Sequence, residues 1–364
     1  MRIANFILHS CIRAHKIGWE MRRRGHQVIL FSENLNYVHP WFKYDVAVKL
    51  YATPDGDFVY DQIRQAVKTL DHMIDVYHIH NEPDWLVNVV RSVTDKPIVY
   101  DIHDMKSIRE YVVDEWEEKA FKDCDAFSVV SKRYKDLVKE RSNKPVEEVL
   151  SCVNKEFYPL NRCKLQHNGI VYEGGLKGSQ PQTEKWREFD CRYWAPTFND
   201  ILKTGTPVWA YRGNTVSDVS EYGNFGTMIM GPLPYHALVN NLTAFEAGLV
   251  GSPQPDPMFD GALPNKLFEY IAAGLPILAW NAGDSVNEFI LATGTGAVLD
   301  NLEEIPDVLN EFKKMNMRDH VWSLRHYWSM DSQGEKVENL YKKITEEPSI
   351  RKSNGKEENA HSSY

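Results

Sequence analysis

The chain has 364 residues, which exceeds the size at which one hydrophobic core usually keeps growing, so we expect two domains of about 150 residues each. With 43% hydrophobic and 26% charged residues, the composition is that of an ordinary globular protein and excludes a disordered or fibrous chain. A formal net charge of -9 argues against binding to the phosphate backbone of nucleic acids, so no nucleic-acid partner is expected.

Residues 1–155 are expected to form the first domain, because apolar runs typical of strands alternate there with helical patterns. Strand 3–8, helix 12–24 and strand 27–31 make one β-α-β unit, in which Gly25 ends the helix. Further strands are predicted at 46–50, 76–80, 98–102, 126–130 and 149–152, and further helices at 58–70 and 107–122. Such alternation predicts a parallel sheet covered on both faces.

Residues 165–318 are expected to form a second α/β domain after a linker between residues 152 and 162. Its strands are predicted at 169–172, 207–211, 227–230, 244–250, 276–280 and 296–299, and its helices at 185–203, 235–241, 266–273 and 286–292. The stretch 305–344 is helical with few breaks, and we expect residues 319–345 to pack back on the first domain. The polar residues 346–364 predict a disordered tail.

Residues 263–278, LPNKLFEYIAAGLPIL, are the most informative segment for ligand binding. Asn265 opens a predicted helix whose free N–H groups and positive dipole end favour a diphosphate, and Lys266 adds a positive charge there. Glu269, one turn further on, can accept hydrogen bonds from the two hydroxyls of a ribose, and Gly274 stops the helix. The alternative is an ordinary α/β helix in which Glu269 only complements the dipole.

Several weaker motifs occur in a fixed order along the chain. They are VYHIHNEP at 76–83, PIVYDIHD at 97–104, SVVSK at 128–132, IVYEGGLKG at 170–178, GPLPY at 231–235 and AGL at 247–249. Together with the segment 263–278, this order resembles the glycosyltransferase family-four group over most of residues 1–345. The resemblance implies an α/β chain of the GT-B fold, with two Rossmann-like doubly wound domains facing each other across a cleft.

The resemblance also implies roles for individual residues. His103, just past a predicted strand, matches the histidine near the reacting sugar, where ligands bind at the carboxyl edge of a parallel sheet. Lys177 and Lys266 match the basic positions that neutralise the donor diphosphate, which makes a metal unnecessary. Further expected donor-side residues are Asn265, Leu267, Glu269, Gly175 and Tyr235, and expected acceptor-side residues are Arg13, His80 and Asp104.

For several of these histidines and lysines an ordinary structural role is the alternative. His103 is also explained as a loop histidine satisfied by Asp101 or Asp104, and Lys177 as an exposed loop lysine. His78 and His80 alternate on one predicted strand, and we expect one of them to pack while the other faces the cleft.

The sequence departs from the family pattern at three places. Many members carry a second glutamate eight residues before the ribose-binding one, where this chain has Gly261 next to Asp260. The usual Gly-Arg of the second domain is Gly174-Gly175, so a phosphate-binding arginine is missing there. The loop 9–13 lacks the family's paired glycines, and Arg13 or Lys266 is expected to compensate.

The leading hypothesis is transfer of a hexosyl group from a UDP- or GDP-linked sugar to a hydroxyl. Retention is implied by the resemblance alone. The nucleotide sugar is then a co-substrate, no cofactor is needed, and the acceptor is a glycan, a lipid-linked molecule or a small molecule. Because of the departures, two alternatives stay open: a non-catalytic subunit that binds nucleotide sugars, and a nucleotide-sugar epimerase of the same fold.

The remaining signals concern the compartment and the surface. The five cysteines show no zinc-ligand or CxxC spacing, no signal peptide is evident, and no segment approaches a membrane span, so we expect a cytoplasmic protein. Arg22, Arg23 and Arg24 are interpreted as a solvated face complementing the helix dipole. The alternative for these arginines is contact with an anionic acceptor or a peripheral contact with a membrane.

Overall fold

The computed structural model describes residues 1–8, 11–33, 35, 42–51, 60–81, 83–109, 112, 114–178, 192–213, 219–256 and 258–346. The chain divides into two compact units. The first unit contains residues 1–150 and the chain from Met330 onward, and the second contains Ser151–Ser329. Residues 185–191 of a predicted helix, which include Cys191, and residues 347–364 of the predicted tail lie outside the described residues.

The first unit is built on a parallel sheet of seven strands. In chain order the strands are β1 (Arg2–Phe6), β2 (Gln27–Ser32), β3 (Val46–Lys49), β4 (Val76–His80), β5 (Ile98–Ile102), β6 (Ala126–Val129) and β7 (Val146–Glu148). Their order in the sheet is β3-β2-β1-β4-β5-β6-β7, so the direction of winding reverses between β1 and β4. Such a switch point opens a crevice at the carboxyl ends of the strands, which is where ligands of this architecture bind.

Within the described part of residues 1–150, six helices accompany this sheet. They are α1 (Ile12–Arg23), α2 (Tyr60–Leu70), α3 (Trp85–Arg91), α4 (Lys106–Arg109), α5 (Glu115–Asp123) and α6 (Lys132–Arg141). The prediction of one helix over 107–122 is wrong, because the Asp114 carboxylate caps a fresh helix by accepting the N–H of Trp116. The Ser131 hydroxyl starts α6 in the same way by accepting the N–H of Tyr134.

The predicted strand at 149–152 is also wrong. The last ladder partner of β6 is β7 at Val146–Glu148, and Val149 then adds one further hydrogen bond to the carbonyl of Val129. Val149 and Cys152 are buried although they lie outside any strand. The apolar run therefore reports burial of an irregular segment, which a short apolar pattern cannot distinguish from a strand.

The second unit has its own parallel sheet of six strands. The strands are β8 (His167–Gly174), β9 (Val208–Arg212), β10 (Met228–Met230), β11 (Phe245–Gly251), β12 (Ile277–Trp280) and β13 (Gly296–Val298). Their order, β10-β9-β8-β11-β12-β13, reverses between β8 and β11 and places a second switch point there. The prediction of an α/β chain with two parallel sheets is confirmed.

The described residues of the second unit form eight helices. They are α7 (Ala195–Lys203), α8 (Ser220–Asn224), α9 (Tyr235–Leu242), α10 (Met258–Gly261), α11 (Asn265–Ala272), α12 (Asp284–Thr293), α13 (Ile305–Lys314) and α14 (Met317–Leu324). Gly274 follows α11 with a left-handed φ of +68°, as a glycine that ends a helix requires. A core that includes Trp194, Phe198 and Tyr222 joins α7 and α8 to the sheet.

The last helix, α15 (Met330–Glu346), belongs to the first unit and packs on α1. A Cβ at Gly334 would lie 2.5 Å from the side chain of Glu20, so the two helices approach closely at this glycine. Arg23 pairs with Asp331 at 2.6 Å and Arg24 with Glu338 at 3.1 Å, while Arg22 pairs with Asp45. The three consecutive arginines are thus paired with carboxylates of their own unit. Within the described residues, no helix has both the length and the apolar character needed to cross a bilayer.

Candidate functional site

The polar residues of the first unit gather at the switch point between β1 and β4. His80 ends β4, Asp101 lies one residue before the end of β5, and His103 follows β5 directly. Cys11 occupies the N-cap position of α1. The carboxyl ends of parallel strands share one edge of the sheet. The fold therefore brings these four side chains together although they come from β4, β5 and the start of α1.

Asp101 is the centre of a buried polar cluster. Its carboxylate accepts hydrogen bonds from Arg13 Nε at 2.9 Å and Arg13 Nη2 at 2.8 Å, and from the Ser128 hydroxyl. His80 Nδ1 lies 2.9 Å from the same carboxylate. Burial by itself raises the pKa of Asp101, but Arg13 and His80 outweigh it and hold this pKa well below its usual range. Asp101 is therefore ionised at neutral pH.

His78 and His80 both belong to this cluster. Their rings stack at 4.6 Å with an interplanar angle of 6°, and both side chains are buried. His78 contacts the hydroxyls of Tyr341 and Ser128, and His80 Nε2 lies 2.8 Å from Asn5 Oδ1. The expectation that one of the two faces outward is wrong, because residues two apart on a strand share a face.

The ligand atoms of His78, His80 and Asp101 lie within 4.8 Å of one another, which is the spacing of a metal site. These atoms are already engaged by hydrogen bonds, and the Arg13 guanidinium neutralises the carboxylate. Burial also lowers the pKa of His80 to about 3, so that ring stays neutral. The cluster, which we call the Asp101 network (Asn5, Arg13, His78, His80, Asp101, Ser128 and Tyr341), fits a structural hydrogen-bond network better than a metal centre.

Two of the expected acceptor-side residues, Arg13 and His80, are thus buried in the Asp101 network. Arg13 also donates from Nη1 to the carbonyl of Val149 at 2.6 Å. The third, Asp104, is half-buried, and its carbonyl accepts the side-chain amide of Asn81. The expected compensation by Arg13 for the missing glycines of loop 9–13 concerns residues 9 and 10, which lie outside the described residues.

His103 lies at the edge of this network and is 16% exposed. Its backbone N–H donates to Asn81 Oδ1 at 3.0 Å, and its Nδ1 lies 3.6 Å from Asp101 Oδ2. Burial alone lowers the pKa of His103, but the Cys11 thiolate and the Asp101 carboxylate beside it raise this pKa well above the ordinary value. His103 is therefore a cationic side chain that reaches the surface from a carboxylate-lined interior.

The second unit places a lysine at the end of β8. Lys266 Nζ lies 3.9 Å from the centroid of the Tyr172 ring, which favours the ammonium by a cation–π contact. The same nitrogen lies 2.9 Å from the position that a Cβ of Gly174 would take. Gly174 has a φ of +147° and accepts the N–H of Gly213 at 2.9 Å. The backbone conformation requires a glycine here, and a Cβ would in addition displace the Lys266 ammonium from its place beside Tyr172.

Helix α11 carries the other expected donor residues. Asn265 and Lys266 form its first turn, Leu267 is fully buried and Glu269 is 3% exposed. The Tyr235 hydroxyl lies beside Glu269, and burial together with this carboxylate raises the pKa of Tyr235 well above its ordinary value. Glu269 is therefore a buried carboxylate beside a tyrosine hydroxyl, one turn after Lys266 on the same helix.

Tyr270 fixes α11 to the sheet. Its hydroxyl accepts the N–H of Glu173 at 3.0 Å and donates to the carbonyl of Leu249 at 3.2 Å. The ring fits against Gly248, where an added Cβ would lie 2.5 Å from it. Tyr270 therefore holds the helix that carries Lys266 and Glu269 against the sheet.

Sequence reasoning missed two cations near Lys177 and Gly175. Lys177 is half-buried, and its N–H donates to the carbonyl of Arg192 at 3.0 Å. The Arg192 side chain passes over Gly175, and the β8–β9 register sets Arg212 opposite Gly174. No pattern in the sequence identifies Arg192 or Arg212 as residues of this site. The glycine at position 175, where an arginine is expected, indicates only that space is left there.

The other departure, Gly261, ends α10 and is buried, whereas Asp260 is exposed. The Asp260 carbonyl accepts the Ser285 hydroxyl at 3.0 Å. Asp260 therefore does not replace a glutamate inside the unit.

Two family models match the chain. Residues 12–156 match Glycosyltransferase Family 4, and residues 211–344 match the C-terminal domain of the Glucosyltransferase 3-like family. No curated protein sequence matches the chain.

Solved structures of similar fold cover nearly the whole chain. Sucrose-phosphate synthase from Thermosynechococcus elongatus is 15% identical, with a TM-score of 0.65 over 94% of this chain and 99% of the other. Anabaena HepE in complex with UDP and glucose is 10% identical, with a TM-score of 0.66 over 93% and 98% of the two chains. WaaG, a glycosyltransferase of lipopolysaccharide biosynthesis, is 12% identical, with a TM-score of 0.62 over 94% and 99%. At these identities the likeness is one of fold.

Proposed function

We propose that this chain, which is a family-4-like glycosyltransferase with the GT-B fold, transfers a hexosyl group from a nucleotide diphosphate sugar to a hydroxyl acceptor. The nucleotide is UDP or GDP, and the transfer retains the anomeric configuration and needs no metal. The acceptor is a glycan, a lipid-linked molecule or a small molecule. We further propose that the protein acts in the cytoplasm, where nucleotide sugars are available as co-substrates, and uses no additional cofactor.

The observation that carries the proposal is the arrangement of α11. Its first turn lies at the carboxyl edge of a parallel sheet, holds Lys266, and is followed one turn later by the buried carboxylate of Glu269. The N-terminal turn of a helix and a lysine favour a diphosphate, while a carboxylate binds ribose hydroxyls. Lys266 and Glu269 lie on one helix, one turn apart.

The first unit supplies the proposed catalytic residue. His103 follows β5 at the carboxyl edge, and its Nδ1 faces the Asp101 carboxylate at 3.6 Å. A histidine that is oriented from one side and exposed on the other can donate hydrogen bonds to a sugar hydroxyl near the reacting carbon. Asp104 beside it is proposed on the acceptor side.

In the proposed reaction the protein forms no covalent bond to the sugar. As the bond between the sugar and the diphosphate breaks, negative charge grows on the leaving phosphate oxygen, and Lys266 with Lys177 stabilises it. Binding holds donor and acceptor hydroxyl in line, which removes much of the entropic barrier. No protein nucleophile is part of this proposal. The solved complex of the similarly folded Anabaena HepE with UDP-glucose favours UDP among the nucleotides.

A binding screen followed by a transfer assay tests the proposal. The purified chain is first heated with UDP, GDP and ADP, since a ligand at 100 times its Kd stabilises a protein by about 2.7 kcal/mol. The sugar form of the bound nucleotide is then incubated with a panel of hydroxyl acceptors, and glycosylated product is measured by mass spectrometry. We expect UDP or GDP to stabilise the chain and product to form with at least one acceptor.

Other outcomes separate the alternatives. Stabilisation without transfer or donor hydrolysis on a broad panel favours a non-catalytic nucleotide-sugar binding subunit. Conversion of the donor sugar to an epimer without any acceptor favours an epimerase. The absence of stabilisation by every nucleoside diphosphate contradicts the proposal.

A further inference from the structure

Two cations flank the consecutive glycines that end β8. Lys266 lies against Gly174, and Arg192 lies against Gly175. We infer that Arg192 is a second diphosphate-binding residue of the second unit, acting beside Lys266. This inference rests on the proposed function, because it takes the ligand of this unit to be a nucleoside diphosphate.

The Arg192 side chain occupies the space that a side chain at position 175 would fill. A Cβ built on Gly175 would lie 3.1 Å from Arg192 Cδ, 3.5 Å from Nε and 3.8 Å from Cγ. The glycine thus leaves space for the Arg192 side chain from Cγ to Nε beside the residue that follows β8. Gly175, unlike Gly174, does not have a left-handed φ, so the absence of its side chain matters for space rather than for backbone conformation.

The backbone of Arg192 is anchored although its side chain is exposed. Its carbonyl accepts the Lys177 N–H at 3.0 Å and the Tyr222 hydroxyl at 3.4 Å, and the same hydroxyl donates to the Lys177 carbonyl at 2.7 Å. Tyr222 is fully buried. The fixed backbone holds the base of the Arg192 side chain next to Gly175, so the residue does not have to be brought to this position when a ligand binds.

The charges around the two glycines favour a dianion. Lys177, Arg192, Arg212 and Lys266 all belong to the ends of β8 and β9 or contact them. Acidic groups nearby, among the described residues, include Glu173, whose backbone N–H is bound to Tyr270, Glu221, which accepts the Tyr193 hydroxyl, and Glu269, which lies beside Tyr235. A guanidinium binds two phosphate oxygens at once, whereas an ammonium acts as a point charge. Lys266 and Arg192 together therefore match the two phosphates of a nucleoside diphosphate.

The experiment compares a nucleoside diphosphate with its own nucleoside. Binding of UDP and of uridine is measured by calorimetry for the wild type, Arg192→Ala, Arg192→Lys and Gly175→Ala, and GDP with guanosine replaces this pair if the wild type prefers GDP. We expect Arg192→Ala to weaken UDP binding by about tenfold or more and to leave uridine binding unchanged. Arg192→Lys should recover part of the loss, since it restores charge without the fork.

Gly175→Ala offers a second probe that leaves the arginine in the chain. The added methyl group pushes against Arg192 Cδ, so UDP binding should weaken in the wild-type background. In the Arg192→Ala background the same change should have no further effect, because its target is gone. Lys314→Ala removes an exposed cation on α13 and serves as the matched control with unchanged UDP binding.

Four results overturn the inference. Unchanged UDP binding in Arg192→Ala removes the residue from the site, and an equal loss for UDP and uridine assigns it to the structure rather than to the phosphates. Independent, additive losses in the double variant contradict the contact with Gly175. A wild-type chain that binds no nucleoside diphosphate overturns the proposed function and this inference with it, whereas a normal wild-type affinity with an unaffected variant overturns the inference alone.

Discussion

The Arg13 guanidinium binds both oxygens of the Asp101 carboxylate, at 2.9 and 2.8 Å, and the two side chains are only 1% and 0% exposed. This pair ties α1 to β5 in the interior of the first unit. The same carboxylate faces His80 and His103, so one buried charge supports both the fold and the candidate catalytic residue.

We first predict that Arg13→Met destabilises the protein by about 3–5 kcal/mol, because it leaves the Asp101 carboxylate buried without its cation. The matched control is Arg2→Met, which breaks the pair of Arg2 with Asp75 at 3.1 Å. That pair is largely exposed, so its loss should cost about 0–1 kcal/mol. The free energy of unfolding in urea measures both. Equal losses in the two variants contradict the assigned importance of the buried pair.

The pH dependence of stability follows from His80, whose pKa burial lowers to about 3. The unfolded chain binds a proton near pH 6.5 and the folded chain does not, so stability is present above that pH and falls as the pH drops toward about 3. His15, whose pKa burial lowers to about 4, acts in the same sense. Each such histidine contributes a slope of about 1.4 kcal/mol per pH unit inside its window.

Unfolding free energies measured between pH 4 and 6.5 test this prediction. His80→Asn should reduce the slope by about 1.4 kcal/mol per pH unit, the contribution of one histidine. His72→Asn replaces an exposed histidine and should keep the wild-type slope. An unchanged slope in His80→Asn shows that His80 titrates normally in the folded chain, whatever the absolute stability of the variant.

The sequence predicts this fold well where the signal is local and strong. The strands at Val76–His80 and Ile98–Ile102 have the predicted bounds because their side chains are buried without interruption. Helix α6 escaped prediction since Tyr134 and Val138 are its only buried residues in a charged segment.

The site was predicted less completely than the fold. Lys266 and Glu269 share one helix with a recognisable pattern, and the structure places both on α11. Arg192 and Gly175 come together only through the folded backbone, so no spacing along the chain announces their contact. The shared face of His78 and His80 follows from strand geometry and was within reach of sequence reasoning.

We predict that Glu269→Gln weakens binding of the nucleoside diphosphate about 10- to 100-fold, because two hydrogen bonds from the ribose lose a charged acceptor. Isothermal calorimetry with the nucleotide and its 2′,3′-dideoxy analogue measures the effect. The preference of the wild type for the ribose form should be strongly reduced in the variant, since the glutamine amide oxygen is a weaker, uncharged acceptor. Glu311→Gln, an exposed change on α13, is the control. An undiminished preference in Glu269→Gln contradicts the assigned ribose contact.

His103→Ala should leave nucleotide affinity intact and reduce transfer at least about 100-fold, as expected for a residue that acts on the reacting sugar. Initial rates of product formation at saturating donor, together with calorimetric Kd values, separate the two effects. His72→Ala controls for the loss of an exposed imidazole. Near-normal turnover in His103→Ala assigns His103 to the structure of the loop, with Asp101 as its partner.

Gly248→Ala tests whether Tyr270 holds the candidate donor helix in place. An added Cβ would lie 2.5 Å from the ring carbons, so the ring must shift and its hydroxyl must leave the N–H of Glu173 or the carbonyl of Leu249. We expect unfolding free energy to fall by about 1–3 kcal/mol, as for other overpacked cores.

Nucleotide affinity should fall as well, because α11 carries Lys266 and Glu269 and its position depends on Tyr270. Gly223→Ala provides the control, since a Cβ there meets no atom within 4 Å and an alanine in a helix is favoured by about 0.5–1 kcal/mol. Thermal unfolding with and without UDP measures both quantities. If Gly248→Ala loses stability but binds nucleotide normally, the helix is held by other contacts, and if it behaves like Gly223→Ala, the close packing of Tyr270 on β11 is contradicted.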